Sequence, residues 1–435
     1  MVQLQPTPSV LAIASRLEEA GYEAWCVGGA IRDAMLGGAP LDWDIATSAR
    51  PEAVQELFGR KRTIPVGIEF GTVCVLDPAG VGHEITTFRR DVKTDGRHAV
   101  VEFGASLDDD LARRDFTINA IAFRPRTGEL RDPFGGRNDL ALRVVRAVGD
   151  PDARMREDRL RALRGIRFAA RYEFTLEPET LRAVRSSAPH LTRLSAERVQ
   201  QEIMKVIAQV ARPSRAFMLW RDLGAFGALV PSLAGIGDIA LDTLDRLPRE
   251  DSGGRSGGGR SANRLAALFL DVPTATVGAA LTALRFAKHE IRWTTALASA
   301  WQAVSGDIAR VLSEGAPSDE QVRRWLAAIG RTYAGGFMRI ALARWSAERA
   351  AGRAAPDAAA IRALHARITK TRLSAALELA DLAVDGDTLR AAGIPPGPLY
   401  AKILNSLLDR VLATPSLNTE PALMAEVPKI VAAIG

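Results

Sequence analysis

Strand patterns stop near residue 135 of this chain. Before that point short apolar runs alternate with helical patterns, and beyond it the sequence is helical almost throughout. Residues 25–27, 71–76 and 84–88 have strand composition. Helical patterns fall at 8–19, at 30–36, where Gly37-Gly38 supplies a stop, and at 51–58. Asp132-Pro133-Phe134-Gly135-Gly136 predicts a turn and a domain junction. Residues 195–210 put apolar side chains at 199, 203, 206, 207 and 210 on one helical face. Arg198 and Glu202 on that helix are spaced to pair. Residues 213–435 are rich in Ala, Leu and Arg, and the Gly- and Ser-rich run 251–260 predicts a flexible linker. A chain of 435 residues exceeds one hydrophobic core. The expectation is therefore an α+β protein: a mixed sheet with helices over 1–135, a helical segment over 136–212, and a further helical region over 213–435.

Composition narrows the function classes. Apolar residues at 47% and charged residues at 25% describe an ordinary globular chain. No run of 18 apolar residues predicts a membrane span, and the first residues carry no secretion signal pattern. Cys26 and Cys74 lie in apolar runs and read as buried thiols, which fits a reducing cytoplasm. There is no CxxC or HExxH, and the five histidines are scattered with no adjacent aspartate. Zinc chemistry and His-Asp phosphohydrolysis are disfavoured on that count. A net charge of +6 favours a polyanionic partner. The charge is concentrated over residues 143–171, which hold nine arginines against four acids.

Four motifs carry chemistry. In Gly28-Gly29-Ala30-Ile31-Arg32-Asp33, the missing side chains let backbone N–H groups approach a phosphate, and Arg32 can reach a triphosphate oxygen. Asp42 and Asp44 flank Trp43, and extended period two places both carboxylates on one face. Two such charges repel unless a cation lies between them, and magnesium takes carboxylates together with phosphates. A solvent-facing strand edge would show the same spacing. Glu84 is the best local candidate for a third carboxylate. Arg113-Arg114-Asp115-Phe116-Thr117-Ile118-Asn119-Ala120 offers guanidinium groups for phosphate and an aspartate for hydroxyls. In Glu157-Asp158-Arg159-Leu160-Arg161, a helix would put Asp158 and Arg161 on one face, with Arg164 and Arg167 continuing the row. An ordinary intrahelical ion pair would look alike.

Taken in this order and spacing, the four motifs closely resemble the class II tRNA nucleotidyltransferases, the CCA-adding enzymes and bacterial poly(A) polymerases. The resemblance covers about residues 20–210. It implies a polymerase-β-like nucleotidyltransferase head followed by an all-α neck, body and tail. It also implies that Asp42 and Asp44 hold two magnesium ions, with Glu84 nearby. Gly28, Gly29 and Arg32 would cradle the triphosphate, and Arg114 and Asp115 would select ribose. Asp158 and Arg161 would read the base, with Arg164 and Arg167 assisting. The partners implied are CTP, ATP and the acceptor stem of tRNA.

Within that family a poly(A) polymerase, or a relative that adds only CC or only A, stays open. Residues 89–98 resemble the flexible loop of full CCA enzymes, although Ala99 stands where many members have proline. The C-terminus lacks the basic extension common in the poly(A) polymerases. A non-catalytic RNA-binding module would not need both Asp42 and Asp44.

Overall fold

The structure, a computed structural model, describes residues 4–40, 42–94, 99–248 and 259–434. The predicted linker at 251–260 and the tip of the predicted loop at 95–98 fall largely outside the described residues. The chain forms two compact units. One comprises Met1–Glu202 with Leu219–Leu229, and the other Ile203–Met218 with Val230–Gly435. The turn at Asp132 lies inside the first unit, where Asp132 accepts from the amides of Gly136 and Arg137 at 2.7 and 2.9 Å.

The first unit opens with α1 (Pro8–Glu19), β1 (Ala24–Val27), α2 (Gly29–Met35), β2 (Asp44–Thr47) and α3 (Pro51–Phe58). Strands β3 (Thr63–Pro65), β4 (Thr72–Leu76), β5 (Gly82–Thr87), β6 (Arg89–Thr94) and β7 (Ala99–Phe103) follow, then α4 (Leu107–Ala112), β8 (Ala122–Arg124) and β9 (Glu129–Arg131). Seven of these strands form one sheet in the order β3-β4-β5-β2-β1-β8-β9. Its neighbours are antiparallel except β2 and β5, which run parallel with Ile45 beside Ile85. Central β1 is buried at all four positions. In β5, His83, Ile85 and Thr87 are buried while Glu84 is exposed, as period two requires.

Helix α1 buries Val10, Ile13, Ala14 and Leu17, one face at helical spacing. One core cluster joins Trp25, Val27, Ala46, Phe88, Leu107, Leu111, Ala120, Ala122 and Val148, with Phe134 packed against it. The β6–β7 hairpin pairs apart from the main sheet. Helices α5 (Gly136–Leu142), α6 (Pro151–Glu157), α7 (Leu160–Tyr172), α8 (Pro178–Ser187) and α9 (Ala196–Gln209) complete the part that builds the site.

The second unit is helical among its described residues. Its longest helix, Lys288–Glu314, buries Leu297, Trp301, Val304 and Ile308. Trp301 packs on Phe337 and Trp345 at ring separations of 5.9 and 5.6 Å. The buried Arg264 donates to the carbonyls of Leu247, Ile207 and Val210, so its charge meets backbone dipoles. A separate apolar cluster of Val384, Leu389, Ile403, Leu407, Val411, Leu423, Val427 and Ile430 closes the chain. No described helix is long and apolar enough to cross a membrane.

Candidate active site

Where β1 runs into α2 the backbone turns at Gly28, with φ 78° and ψ −137°, a region open in practice only to glycine. A Cβ at Gly28 would stand 3.1 Å from an Arg114 Nη and 3.7 Å from an Asp44 carboxylate oxygen. The bare backbone therefore lets these two charged groups converge. They open onto a cavity of about 480 Å³ lined by six arginines (32, 113, 114, 161, 164, 198) against three aspartates (44, 115, 158). That excess of positive charge suits a triphosphate.

β2 brings Asp44 to this cavity, beside Glu84 in the parallel register of β5. Trp43 is buried and donates its indole N–H to the Pro40 carbonyl at 2.9 Å, which leaves Asp42 and Asp44 exposed on either side. Asp44 is exposed at the surface but crowded by the protein on its other sides. Its enclosure, then Glu84 and Asp42, push its pKa up to about 6 against the pull of Arg114. Among the described residues no three His, Cys, Asp or Glu side chains stand close enough to grip an ion. The donor set nonetheless fits a hard divalent cation: oxygen ligands only, with mutual repulsion that a cation would relieve.

Arg32 is buried and fixed on several sides. It donates to Asp33 at 2.8 Å and to Asn119 at 2.5 Å, and its guanidinium lies 5.1 Å from the Phe168 ring and 4.7 Å from that of Tyr172. The Tyr172 hydroxyl donates to Asp33 at 2.7 Å. Arg113 and Arg114 both bind the buried Asp110, at 3.0 and 3.2 Å. Asp115 accepts from the Phe116 amide and Asn119, each at 2.9 Å, and from Arg164 at 2.7 Å. Burial opposes the Asp115 charge, but Arg164 and Asn119 outweigh it and hold the carboxyl below its ordinary range.

The structure corrects one local expectation. Asp158 and Arg161 do not share a helical face, because the helix breaks between them. α6 ends at Glu157, Asp158 is extended at φ −147° and ψ 107°, and α7 begins at Leu160. An oxygen of Asp158 accepts from the Leu160 amide at 3.0 Å, and Arg198 on α9 holds the other at 2.6 Å. Arg161 donates to Glu157 at 2.8 Å and to the Arg113 carbonyl at 3.1 Å. Both Asp158 and Arg161 still line the cavity. Arg167 does not; it is buried, pairs with Glu202 at 2.7 Å and lies 4.5 Å from the Phe168 ring.

Arg113, Asn119, Phe168 and Arg198 line the cavity as well. Sequence reasoning offered Arg113 only as part of its motif and singled out none of the other three as a site residue. Asn119 offered a signal, since it lies four residues beyond Asp115 in the same motif. Cys26 is buried, Cys74 is half-buried, and both are free thiols.

The mixed sheet, glycine turn and arginine-lined cavity define a nucleotidyltransferase head. A family model described as the poly A polymerase head domain matches residues 24–146, and one described as a probable RNA and SrmB-binding site of polymerase A matches 173–236. The CCA-adding enzyme of Levilactobacillus brevis is 37% identical over 436 residues, which span 98% of this chain and 100% of that protein. That of Limosilactobacillus fermentum is 36% identical over 406 residues, 92% of this chain and 91% of the relative. A crystal structure of the Bacillus stearothermophilus CCA-adding enzyme in complex with CTP superposes with a TM-score of 0.72 at 30% identity, covering 97% of this chain and 98% of that one. The chain belongs to the family of CCA-adding enzymes and poly(A) polymerases. Nucleotidyltransferases of this family use divalent metal.

Proposed function

We propose that this protein adds C, C and A to the 3′ ends of tRNA, without a nucleic-acid template, from CTP and ATP. The tRNA 3′-hydroxyl oxygen forms a bond to the α-phosphorus, and the bond to pyrophosphate breaks. The observation that carries this reading is the one cavity onto which the glycine turn, Asp44, the Arg113–Asp115 stretch, Asp158 and Arg161 all open. The full-length likeness to CCA-adding enzymes supports it.

Gly28, Gly29 and Arg32 bind the triphosphate, since backbone amides and a fixed guanidinium meet anionic oxygens there. Asp42 and Asp44 would hold magnesium, with Glu84 beside them; the metal supplies charge neutralisation at the attacking and departing oxygens. Arg114 and Asp115 face the ribose. Asp158 accepts from the exocyclic amine that cytosine and adenine share, and Arg161 donates to the adjacent ring nitrogen. Uracil and guanine present the opposite pattern and would leave these groups unpaired. Arg198 and the Leu160 amide fix Asp158 for that task. Arg164 sits against Asp115 and orients the nucleotide from the ribose side. The basic surface beyond the cavity meets the phosphates of the acceptor stem.

Incubating tRNA that lacks its terminal CCA with each labelled nucleoside triphosphate in turn tests this. The expected result is incorporation of CTP, and of ATP once C residues are in place, with UTP and GTP rejected. Equal use of UTP would overturn it.

A further inference from the structure

Asn119 joins the two ends of the nucleotide site. Its side chain is buried, and so are both of its partners. Its Oδ1 accepts from Arg32 Nη1 at 2.5 Å, and its Nδ2 donates to Asp115 Oδ1 at 2.9 Å. The partners fix the direction of the amide: arginine can only donate, and an ionised aspartate can only accept. No carboxylate could make both contacts, because it has no proton for Asp115, and no ammonium could, because it has no lone pair for Arg32.

We propose that Asn119 is a positioning residue that sets the Asp115 carboxylate by reference to Arg32, so that ribose selection depends on it. The other contacts of Asp115 show why a third is needed. The Phe116 amide shares Oδ1 with Asn119, and Arg164 takes Oδ2. Arg164 is part-exposed at the cavity wall, whereas Asn119 is buried, and Arg32, packed against Phe168 and Tyr172, anchors its other end. The amide thus transmits the fixed geometry of the triphosphate arginine to the carboxylate that meets the sugar. A ribose hydroxyl is discriminated only where its partner is held in place before it arrives.

The inference rests on the reading of Asp115 as the ribose residue, and the experiment separates the two. The kcat/KM ratio of CTP to dCTP is measured on tRNA lacking CCA for the wild type, Asn119→Asp, Asn119→Ala and Asp115→Ala, with thermal melting as a check of folding. Asn119→Asp keeps the acceptor for Arg32 and sets a like charge against Asp115, while Asn119→Ala removes both contacts without adding charge. The expected result is a loss of about tenfold or more in the CTP:dCTP ratio for both Asn119 variants, carried by CTP. Either variant suffices if the other fails to fold. If CTP and dCTP lose kcat/KM equally, Asn119 is structural only and the inference falls. If Asp115→Ala loses discrimination and the Asn119 variants keep it, the bridge is wrong and the ribose reading stands. If Asp115→Ala keeps discrimination, the ribose reading fails and takes the bridge with it.

Discussion

Replacing Glu202 by leucine isolates the charge that α7 and α9 bury between them. The Arg167 and Glu202 side chains are 4% and 1% exposed, with 2.7 Å between nitrogen and oxygen. Removing the carboxylate strands a guanidinium that cannot shed its proton, so a shifted pKa offers no escape. The face of Phe168 at 4.5 Å is poor compensation for a buried charge. Breaking such a pair from one side costs about 3–5 kcal/mol. For a unit of roughly 200 residues, about 2–4 °C are lost per kcal/mol, so the first transition should fall by about 6–20 °C. Calorimetry and urea unfolding followed by fluorescence measure this, the latter with an unchanged slope against denaturant. The informative control is Glu202→Leu combined with Arg167→Met, which removes both charges and keeps the volume apolar. That double variant should recover to within about 1 kcal/mol of the wild type. A single variant losing less than about 1 kcal/mol, or a double variant no better than the single, would refute the reasoning.

Three further outcomes follow from the site. Asp44→Asn should lower kcat on the order of 10³-fold while CTP binding, followed by calorimetry, persists; a variant of near wild-type turnover would remove Asp44 from the reaction. Asp158→Ala should cut the preference for CTP over UTP by about 10- to 100-fold, read from kcat/KM with each nucleotide, and unchanged selectivity would contradict the base-reading role. The third concerns pH. The Asp44 carboxyl rises from 3.8 to about 6 in the fold, so the stability gained by protonating it is present below pH 3.8 and lost as pH rises through 6. Excess magnesium should therefore raise the melting temperature more at about pH 7.5 than at about pH 5, and an equal gain at both would contradict the assignment.

The parts of the sequence that were legible share a local cause. Helices α1, α2 and α3 announce themselves by apolar spacing and by proline or glycine at their ends, and each falls within a residue of its expected limits. Asp42 and Asp44 could be placed on one face because extended backbone alternates, and Trp43 does turn inward. The break at Asp158 was not legible. The stretch from Glu157 to Arg167 is good helical sequence, and the extended Asp158 is held both by the nearby Leu160 amide and by Arg198, forty residues away. Arg167 misled for a related reason. Its place in a row of arginines suggested a ligand role, while its burial against Glu202 on another helix is a tertiary fact. The cavity role of Arg198 likewise arises only when distant segments meet.

The central claim is that one protein site adds three defined nucleotides and then stops. Three tRNA substrates, ending before the CCA, after its first C and after CC, should be offered CTP alone, ATP alone and both together, with products resolved at single-nucleotide length. The account predicts that CTP alone adds two C to the first substrate and one to the second, that ATP alone adds one A to the third, and that both together complete every substrate to CCA with no extension beyond it. Runs of A beyond that length would mark a poly(A) polymerase, and failure to extend the substrate ending in CC would mark a CC-adding enzyme; either result would contradict the account.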